Sequence, residues 1–402
     1  MTQGALVVIN PPARWSWKRL WAAAPRVQEV GQPDAEPLSV FLQAGVVPRS
    51  SREDNHNRLG EDMSKYQVVQ PGDLIFNKLR TWQGGLGVSA YHGIVSPAYF
   101  VCRPVHDWHA RYLHYLLLSS PYLSELTRLS KFMPPSQFDI PWDMLRTLPL
   151  LHPPLNEQRR IAEFLDAETA QIERLKHLRY RQLALLGERA EAWRSQLFME
   201  SKSGIWVRVK HLLRAKPRYG VLVPEFTDDG IPMIRVGDLS NLADPDTLLK
   251  IPNELSDRYA RTVTMRNDVL VAVVGATIGK VALVMDNVVG SNVNRAIAVL
   301  RPQVENSPSL FASWVGGREF KEQAHLATSA DSAQPTLGME DLANFSLRWP
   351  ADNAEQRQMA MQVEEYRLEF DATHHTLERQ ISLLAERRQA LITAAVTGAI
   401  TV

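Results

Sequence analysis

The stretch LHPPLNEQRRIAEFLDAETAQIERLK (residues 151–176) predicts the start of a long helix, and it recurs in altered form near the end of the chain. The later copy is WPADNAEQRQMAMQVEEYRLEFD (residues 349–371). Both copies pass from Pro through Asn to Glu-Gln-Arg, and the two triplets (residues 157–159 and 355–357) lie 198 residues apart in a chain of 402. A repeat at half the chain length predicts that one structural unit is present twice.

The repeat extends into the segments before the helices. GDLIFNKLRTWQGGLGVSAYHGIVSPAYFVCRP (residues 72–104) and NDVLVAVVGATIGKVALVMDNVVGSNVNRAIAVLRP (residues 267–302) share an Asp, an apolar run, a Gly-rich turn, a second apolar run and an Arg-Pro exit. Short β-rich runs separated by Gly, Asn and Pro predict a mixed, mainly β domain. A helical stretch follows each one (residues 108–129 and 309–327), then a Pro-containing loop and the long helix.

Both long helices carry apolar residues at seven-residue spacing, which is typical of a coiled-coil seam. In the first helix Arg179 interrupts the series, with Leu175 and Leu178 alongside; in the second, Tyr366 and Ile381 widen the stripe. Two matched helices of this kind favour pairing with each other, although two amphipathic helices lying on separate domains remain an alternative. The predicted seam residues are Leu165, Ile172, Leu186 and Trp193 in the first helix and Val363, Phe370, Leu377, Leu384 and Leu391 in the second.

The ends of these helices also carry sequence signals. Asn353 with Gln356 three residues later predicts a capping box at the start of the second helix. Asn156 lacks that partner, since Arg159 stands at the corresponding position. Gly398 predicts the end of the second helix.

Composition limits the class of protein. A length of 402 residues predicts roughly two to four domains, and 45% apolar with 22% charged residues indicates a globular protein. The single cysteine, Cys102, excludes a disulfide framework and lies in an apolar run that predicts a buried thiol. The longest apolar stretch (residues 269–279) is too short to span a bilayer, and no basic segment precedes the apolar residues near the N-terminus. We therefore expect a cytoplasmic protein.

Several short motifs suggest an enzyme, but none has the required spacing. Ala13 replaces the aromatic residue that would follow Asn-Pro-Pro in an adenine methyltransferase, and GATIGKV (residues 275–281) has Val281 where a phosphate loop needs Ser or Thr. Glu319 and Lys321 lack a nearby Pro-Asp. No histidine shows a carboxylate or Cys at ligand spacing, so no metal site is predicted; these histidines are His106, His109, His114, His374 and His375. No catalytic residue is predicted.

The loops of both halves favour binding to double-stranded DNA. Basic and aromatic residues alternate there with small polar ones, at matching positions of the two copies. Arg pairs with guanine and Asn or Gln with adenine, while Lys mostly holds phosphates. Any one of these loops is also consistent with a plain solvated turn. The candidates are Arg49, Arg52, Lys78, Arg80, Trp82, Gln83 and Lys131 in the first half, and Lys216, Arg218, Tyr219, Arg235, Lys280, Asn292, Asn294 and Arg295 in the second.

Over almost its whole length the sequence resembles the specificity subunits of type I restriction–modification systems. The strongest motifs are PPLNEQRRIAEFLDAETAQIERL, its echo AEQRQMA and the terminal ERRQALITAAVTGAI (residues 386–400). The segments KYQVVQPGDLIFNKLRTWQGGLGVS, GIVSPAYF and GIPMIRVGDL resemble parts of the target-recognition domains of that family. Each fragment alone is a weak signal, and the combination is specific.

The resemblance implies a mixed α/β fold with two target-recognition domains, each reading one half of a split DNA site. The implied divisions are residues 1–152 for the first domain, 153–202 for the central helix, 203–350 for the second domain and 351–402 for the C-terminal helix. The two helices are expected to pair antiparallel, as a coiled-coil spacer with pseudo-two-fold symmetry. Because the two domains differ in sequence, their half-sites need not match.

The resemblance also implies partners. Methyltransferase subunits, expected to be two, would dock on the helices, and motor–nuclease subunits would join the larger assembly. This chain is expected to bind no cofactor; S-adenosylmethionine belongs to the methyltransferase, and ATP and magnesium to the motor–nuclease. The second Glu-Gln-Arg follows Ala-Asp-Asn-Ala instead of Pro-Leu-Asn, so equal docking sites are not implied. A coiled-coil scaffold without DNA readout and a stand-alone methyltransferase or nuclease remain alternative functions.

Overall fold

The computed structural model of the chain describes residues 6, 9–42, 45–51, 62–133, 137–240, 242, 245–303, 306–328 and 335–402, with the backbone alone at 132, 133 and 137. Its contacts divide the chain into two compact units. Unit 1 comprises Met1–Tyr180 and Arg379–Val402, and unit 2 comprises Arg181–Glu378. This division lies inside both long helices, and the domain boundaries given above remain predictions.

Unit 1 is built around a four-stranded antiparallel sheet. In this sheet the strand order is β2-β9-β6-β7, and two-stranded pairs are formed by β1 with β12, β3 with β4, β5 with β8 and β10 with β11. The strands are β1 (Ser16–Arg19), β2 (Arg26–Val27), β3 (Leu38–Phe41), β4 (Gly45–Pro48), β5 (Gln67–Val69), β6 (Leu74–Asn77), β7 (Leu86–Val88), β8 (Gly93–Val95), β9 (Tyr99–Cys102), β10 (Lys131–Met133), β11 (Gln137–Asp139) and β12 (Pro149–His152). The helices are α1 (Leu20–Ala23), α2 (Ala110–Leu118), α3 (Ser120–Leu129), α4 (Trp142–Leu145) and the first part of α5 (Leu155–Met199).

Unit 2 has a corresponding four-stranded sheet. Its order is β14-β20-β17-β18, beside a three-stranded sheet β16-β15-β19 and the pair β13 with β21. The strands are β13 (Gly204–Arg208), β14 (Arg218–Tyr219), β15 (Ile231–Ile234), β16 (Lys250–Ile251), β17 (Val269–Ala272), β18 (Val281–Leu283), β19 (Asn292–Val293), β20 (Ile297–Leu300) and β21 (Ser346–Pro350). The helices are α6 (Val209–Leu212), α7 (Asn253–Arg258), α8 (Pro308–Val315), α9 (Arg318–Thr328), α10 (Met339–Asn344) and α11 (Asn353–Thr397), the end of which belongs to unit 1.

The two units share one strand pattern. In unit 1 β6 pairs antiparallel with β9 and with β7, and in unit 2 β17 pairs in the same way with β20 and β18. The apolar runs of the sequence repeat form these strands, and all four residues of β17 are buried. The predicted mixed α/β fold, with a long helix after each domain, is therefore confirmed.

The shorter helical stretches are each broken in two. Residues 108–129 form α2 and α3, which meet at Ser119, just before Pro121 in the first turn of α3. Residues 309–327 lie in α8 and α9, which are separated by Gly316 and Gly317. Proline fits the first turn of a helix and glycine favours a helix end, so the sequence carries both breaks.

The starts of the long helices differ from the sequence prediction. Asn353 is already inside α11, and the side chain of Asp352 caps the helix by accepting a hydrogen bond from the Ala354 N–H at 2.9 Å. The capping-box prediction is wrong, because Gln356 is buried and donates to the carbonyl of Pro350 at 3.0 Å. Gly398 ends α11 as predicted, in the left-handed conformation with φ 76°.

The long helices pack antiparallel in unit 1. Near the start of α5, Ile161 and Leu165 lie in one buried cluster with Ile392 and Val396 near the end of α11. Farther along α5, Glu173 lies 3.4 Å from Arg388, which precedes those residues on α11. Along the contact between the two helices, residue numbers increase on α5 while they decrease on α11, so the helices run antiparallel.

The same direction holds in unit 2. The rings of Trp193 and Tyr366 stack with centroids 4.1 Å apart and an interplanar angle of 6°. Phe198, later on α5, shares a buried cluster with Met359 and Val363, which come earlier on α11. Stacked aromatic rings and apolar contacts therefore join the helices in this unit.

Burial along the seam side of α5 varies near the centre of the helix. Leu165 and Ile172 are 0% and 3% exposed, whereas Leu175 and Leu178 are 37% and 48% exposed. The side chain of Lys176 is 18% exposed, and Lys176 shares a helix face with buried Ile172 because it follows that residue by four positions. The other predicted seam residues are half-buried or buried, and they are Leu186, Trp193, Val363, Phe370, Leu377, Leu384 and Leu391.

The repeated Glu-Gln-Arg motif secures the entry of each long helix. Buried Gln158 accepts a hydrogen bond from the His109 N–H at 2.8 Å and donates to the carbonyls of Asp107 and Pro153 at 3.1 and 2.9 Å. In unit 2 buried Gln356 accepts from the Ser307 N–H at 3.4 Å. Each glutamine thus joins the start of its long helix to the start of the preceding helical pair.

The glutamate of the motif contacts the segment that precedes the first strand of each unit. Glu157 forms two hydrogen bonds with the guanidinium of Arg14, at 3.1 and 2.6 Å. Glu355 accepts hydrogen bonds from the N–H groups of Lys202 and Ser203 at 2.7 and 2.9 Å, and from the Ser203 hydroxyl. These bonds, led by that of the Ser203 hydroxyl, lower the pKa of Glu355 to about 2.

No described helix is both long enough and apolar enough to cross a membrane.

Candidate DNA interface

A tight turn between β6 and β7 presents the best-placed candidates of unit 1. The Thr81 hydroxyl donates to the carbonyl of Asn77 at 2.6 Å, and the Gly85 N–H donates to the carbonyl of Arg80 at 2.8 Å. A Cβ on Gly85 would lie 2.7 Å from that carbonyl, so the turn needs glycine there. Arg80 and Gln83 are exposed on this closed turn. A side chain on such a rigid support can be aimed at a base edge.

Two other candidates of the same turn face inward. The ammonium of Lys78 donates to the carbonyl of Pro97 at 2.5 Å and lies 4.7 Å from the centre of the Phe100 ring. Burial, followed by the charge of Arg26, lowers the pKa of Lys78. The indole of half-buried Trp82 donates to the Leu79 carbonyl at 3.1 Å. Lys78 is half-buried and has partners within its own domain, and the predicted phosphate contact of Lys78 stays a prediction.

Arg49 and Arg80 both act electrostatically on Tyr99. Burial raises the pKa of Tyr99, and the nearby charges of Arg49 and Arg80 partly offset that effect. Both arginines are thus neighbours of one tyrosine at the start of β9. Lys131 is exposed at the start of β10. Arg52 lies outside the described residues.

Unit 2 has a matching turn with different side chains. The Thr277 hydroxyl donates to the carbonyl of Val274 at 2.7 Å, and Gly279 is left-handed with φ 88°, as Gly84 is in unit 1 with φ 84°. Lys280 is exposed at its end. The motif GATIGKV therefore forms a turn between antiparallel strands, as the sequence predicts, and no phosphate loop. The shared turn places different chemistry at the same position of each unit.

Asn292 is not available to a base. It is fully buried in β19, where its carbonyl oxygen accepts from the Thr262 hydroxyl at 2.8 Å and its amide donates to the Ser256 hydroxyl at 3.2 Å. The prediction that it contacts DNA is wrong, because Asn292 is buried and its polar groups bind α7 and the helical turn after it. The neighbouring Asn294 is half-buried, with a buried Oδ1 for which the described residues provide no hydrogen-bond partner.

The remaining candidates of unit 2 fall into two groups. Tyr219 donates its hydroxyl to the carbonyl of Leu337 at 2.7 Å, and Arg235 pairs with Asp238 at 3.1 Å, so both have internal roles. The side chains exposed to solvent are Lys216, Arg218, Lys280 and Arg295. Sequence reasoning missed Arg261, an exposed residue beside Lys216 and Arg218. Its position in a short helical turn gave no motif that could have identified it.

One histidine group was judged wrongly from spacing. Glu378 lies 3.4 Å from His374 and 3.6 Å from His375 on α11, and one ligand atom from each residue falls within 4.8 Å of the others. A carboxylate is therefore present at ligand spacing. The group lies on a helix surface, with the side chain of His375 80% exposed. Cys102 is buried, as predicted.

Two α/β domains, each followed by a 45-residue helix and each presenting a rigid polar turn, form the architecture expected of a type I specificity subunit. Over 286 residues the chain is 28% identical to the specificity subunit of the type I restriction enzyme EcoBI from Escherichia coli. That match covers 63% of this chain, which spans 58% of the length of the relative. No family model matches the chain.

A solved structure supports the fold. One of its chains superposes with a TM-score of 0.73 at 17% identity, covering 97% of this chain and all of the other. That structure is described as the structural basis of complex assembly and conformational transition of the type I R-M system. The sequence match and the shared fold together confirm the resemblance to type I specificity subunits.

Proposed function

We propose that this chain is the DNA-specificity subunit of a type I restriction–modification complex. The observation that carries the proposal is the duplicated architecture, a recognition-type domain followed by a long helix twice, together with the similarity to the EcoBI specificity subunit. In this role the chain is not an enzyme. It binds a bipartite DNA site, and each domain reads one half-site.

The rigid turns supply the proposed readout. Arg80 and Gln83 are exposed on the turn of unit 1. The guanidinium of Arg80 can donate two hydrogen bonds to guanine, and the amide of Gln83 can both donate to and accept from adenine in the major groove. Unit 2 presents Lys280 at the corresponding turn, with Arg295 exposed on a neighbouring loop. Because the supports match while the side chains differ, the two domains are expected to read different half-sites. The exposed lysines contact phosphates and contribute affinity without sequence preference.

The partners we propose dock on the long helices. Large apolar side chains remain exposed there, and exposed apolar patches mark surfaces that bind other proteins. They are Leu175, Leu178 and Leu185 on α5 and Met361, Leu368 and Leu383 on α11. Two methyltransferase subunits, which hold S-adenosylmethionine, would cover these faces. Motor–nuclease subunits, which hold ATP and magnesium, would join the assembly, and this chain itself would bind no cofactor.

The test is the methylation that the chain directs. The chain is expressed with the type I methyltransferase subunit of its own genome in a host without DNA methylation, and the methylated positions are mapped by sequencing. We expect one split motif that is absent when this chain is omitted. Methylation of an unsplit motif, or none from an assembled and soluble complex, would contradict the proposal. Methylation by the purified chain alone would favour the enzyme alternative, and assembly without DNA affinity the scaffold alternative.

A further inference from the structure

A basic pocket lies at one corner of the central sheet of unit 2. Its volume is about 270 Å³. Arg218 on β14 is paired with Val299 on β20, and residues two apart on a strand point to the same face, which places Arg301 beside Val299. The full lining consists of Ala215, Lys216, Arg218, Arg261, Val299 and Arg301.

Positive charge is in excess in the basic pocket. Arg301 is neutralised by buried Asp268, whose two carboxylate oxygens lie 3.0 and 3.1 Å from its Nε. Lys216, Arg218 and Arg261 are exposed, and within the described part of the chain no ion pair engages any of them. Among the residues that the structure describes, the pocket therefore holds three cations without a counter-charge.

The described residues at the corresponding corner of unit 1 have a different balance of charge. Arg103 stands where unit 2 has Arg301, in the same Arg-Pro exit, and it binds Asp73 through two hydrogen bonds of 2.8 and 3.0 Å. A second carboxylate, that of Glu29, lies 2.9 Å from Arg103. Two acids thus surround the arginine in unit 1, whereas one acid and three further cations surround it in unit 2. Because the two units share one strand pattern, that pattern does not itself require the positive charge found in the pocket of unit 2.

We propose that the basic pocket binds a phosphate group, and that this group belongs to the DNA backbone beside the half-site of unit 2. The inference rests on the proposed function. Like charges held close together repel one another unless an anion lies between them, and planar guanidinium groups match the oxygens of a phosphate. A concave site lined by one sign of charge also concentrates the field. Such a contact positions the domain on DNA without reading sequence.

The experiment measures how DNA affinity depends on salt. The full chain, with its methyltransferase subunit, is titrated with a random-sequence duplex across a range of salt concentrations. Arg218→Gln and Arg261→Gln remove charge from the pocket, while Arg208→Gln removes an exposed arginine elsewhere in unit 2. Loss of one phosphate contact is expected to reduce the slope of log affinity against log salt by about 1. The Arg208→Gln variant should keep the parental slope, and half-site preferences should not change in any variant.

Parental slopes in both pocket variants, alongside clear DNA binding by the parent, would overturn the inference and leave the proposed function intact. Absence of DNA binding by the parent assembly would overturn both. A second measurement identifies the source of the phosphate: thermal unfolding in inorganic phosphate and in chloride at equal ionic strength. If phosphate protects the parent more than the variants while the DNA slopes agree, the pocket takes a small phosphorylated ligand and the DNA assignment is wrong. Because both arginines are exposed, the variants should unfold at the parental temperature in chloride.

Discussion

Units 1 and 2 begin their long helices with the same glutamine but with differently bound glutamates. Gln158 and Gln356 both join the helix to the domain through backbone groups. Glu157 forms an ion pair with Arg14, whereas Glu355 is held by N–H groups and the Ser203 hydroxyl. The buried glutamine thus binds backbone groups in both units, whereas the half-buried glutamate binds a different partner in each.

The turns and corners show the same division. A threonine hydroxyl closes the turn in both units, yet Arg80 and Gln83 are exposed on one and Lys280 on the other. The Arg-Asp pair recurs at both corners, and in the described part of the chain the pair of unit 1 alone carries a second acid, Glu29. The two copies therefore agree in the contacts that build the domain and differ on the surfaces proposed to meet DNA. Each variant proposed next changes either a contact that builds the domain or a side chain on a surface that differs between the units.

The largest effect is expected from the helix seam shared by the two copies. Ile172→Asp removes an apolar side chain that is 3% exposed and places a carboxylate in its position. We expect a loss of roughly 3–5 kcal/mol of folding free energy, because burial is lost and a charge is desolvated. Thermal unfolding of the full chain measures it. Leu178→Asp, at a position 48% exposed on the same helix, is the control and should change little. Equal melting of the two variants would show that the seam has been placed incorrectly.

The two glutamines provide a sharper comparison. Gln158→Ala leaves the Pro153 carbonyl and the His109 N–H without their partner, at bonds of 2.9 and 2.8 Å, and the Asp107 carbonyl with only the His152 ring nitrogen at 3.3 Å. An unsatisfied buried group costs about 1–3 kcal/mol, so unfolding should shift clearly to lower temperature. Gln356→Ala should cost less, since its bond to the Ser307 N–H is 3.4 Å long. The reverse order would mean that the two motifs are not equivalent clamps.

The turn between β6 and β7, which carries Arg80, tests the surfaces that differ between the two units. Arg80→Ala should relax specificity at one base pair of one half-site, by about 1–3 kcal/mol, and leave the other half-site unchanged. Selection of sites from a randomised duplex library, read by sequencing, reports both halves at once. Lys18→Ala, an exposed cation on β1, serves as the control. Altered preference at both half-sites would rule out one domain per half-site.

Much of the domain organisation could be predicted from repeats and periodic patterns in the sequence. The 198-residue spacing of the Glu-Gln-Arg triplets predicted two copies of one unit. The heptads predicted the two long helices, because helical periodicity is a property of neighbouring residues. Contacts between distant residues were not predictable. Lys78 lies on Phe100, 22 positions later, and Asn292 is hydrogen-bonded to Ser256 on α7 and to Thr262 in the helical turn that follows.

The centre of the α5 seam is the least regular part of the heptad series. Arg179 interrupts the apolar residues there, and the structure leaves the flanking Leu175 and Leu178 exposed while the side chain of Lys176 is only 18% exposed. Lysine can place its aliphatic stem against apolar surface while its ammonium stays in water. A hydrophobicity pattern therefore predicts that a lysine position faces solvent. Whether the lysine stem is buried depends on how the two helices pack.

The smallest expected effect concerns the glutamate of unit 2. The pKa of Glu355 is lowered to about 2 in the folded chain from an ordinary value of 4.5, chiefly by the Ser203 hydroxyl. A lowered folded-state pKa means that the carboxylate stabilises the fold fully above its unfolded pKa. That contribution is lost as the pH falls through the folded value. Glu355→Gln, which keeps the shape but not the charge, should therefore melt below the parent at neutral pH.

The gap between parent and Glu355→Gln should narrow as the pH falls from about 4.5 towards 2, in line with linkage between protonation and folding. Glu157→Gln is the matched variant of unit 1, and there the lost partner is the guanidinium of Arg14. Since the side chain of Arg14 is 60% exposed, added salt should screen that ion pair and reduce the effect of Glu157→Gln at neutral pH. The neutral donors around Glu355 are screened less, so the effect of Glu355→Gln should persist in salt. Melting temperatures of the three proteins, measured over pH and over salt, test both statements. A pH-independent gap for Glu355→Gln would show that the carboxylate charge is not what Ser203 stabilises.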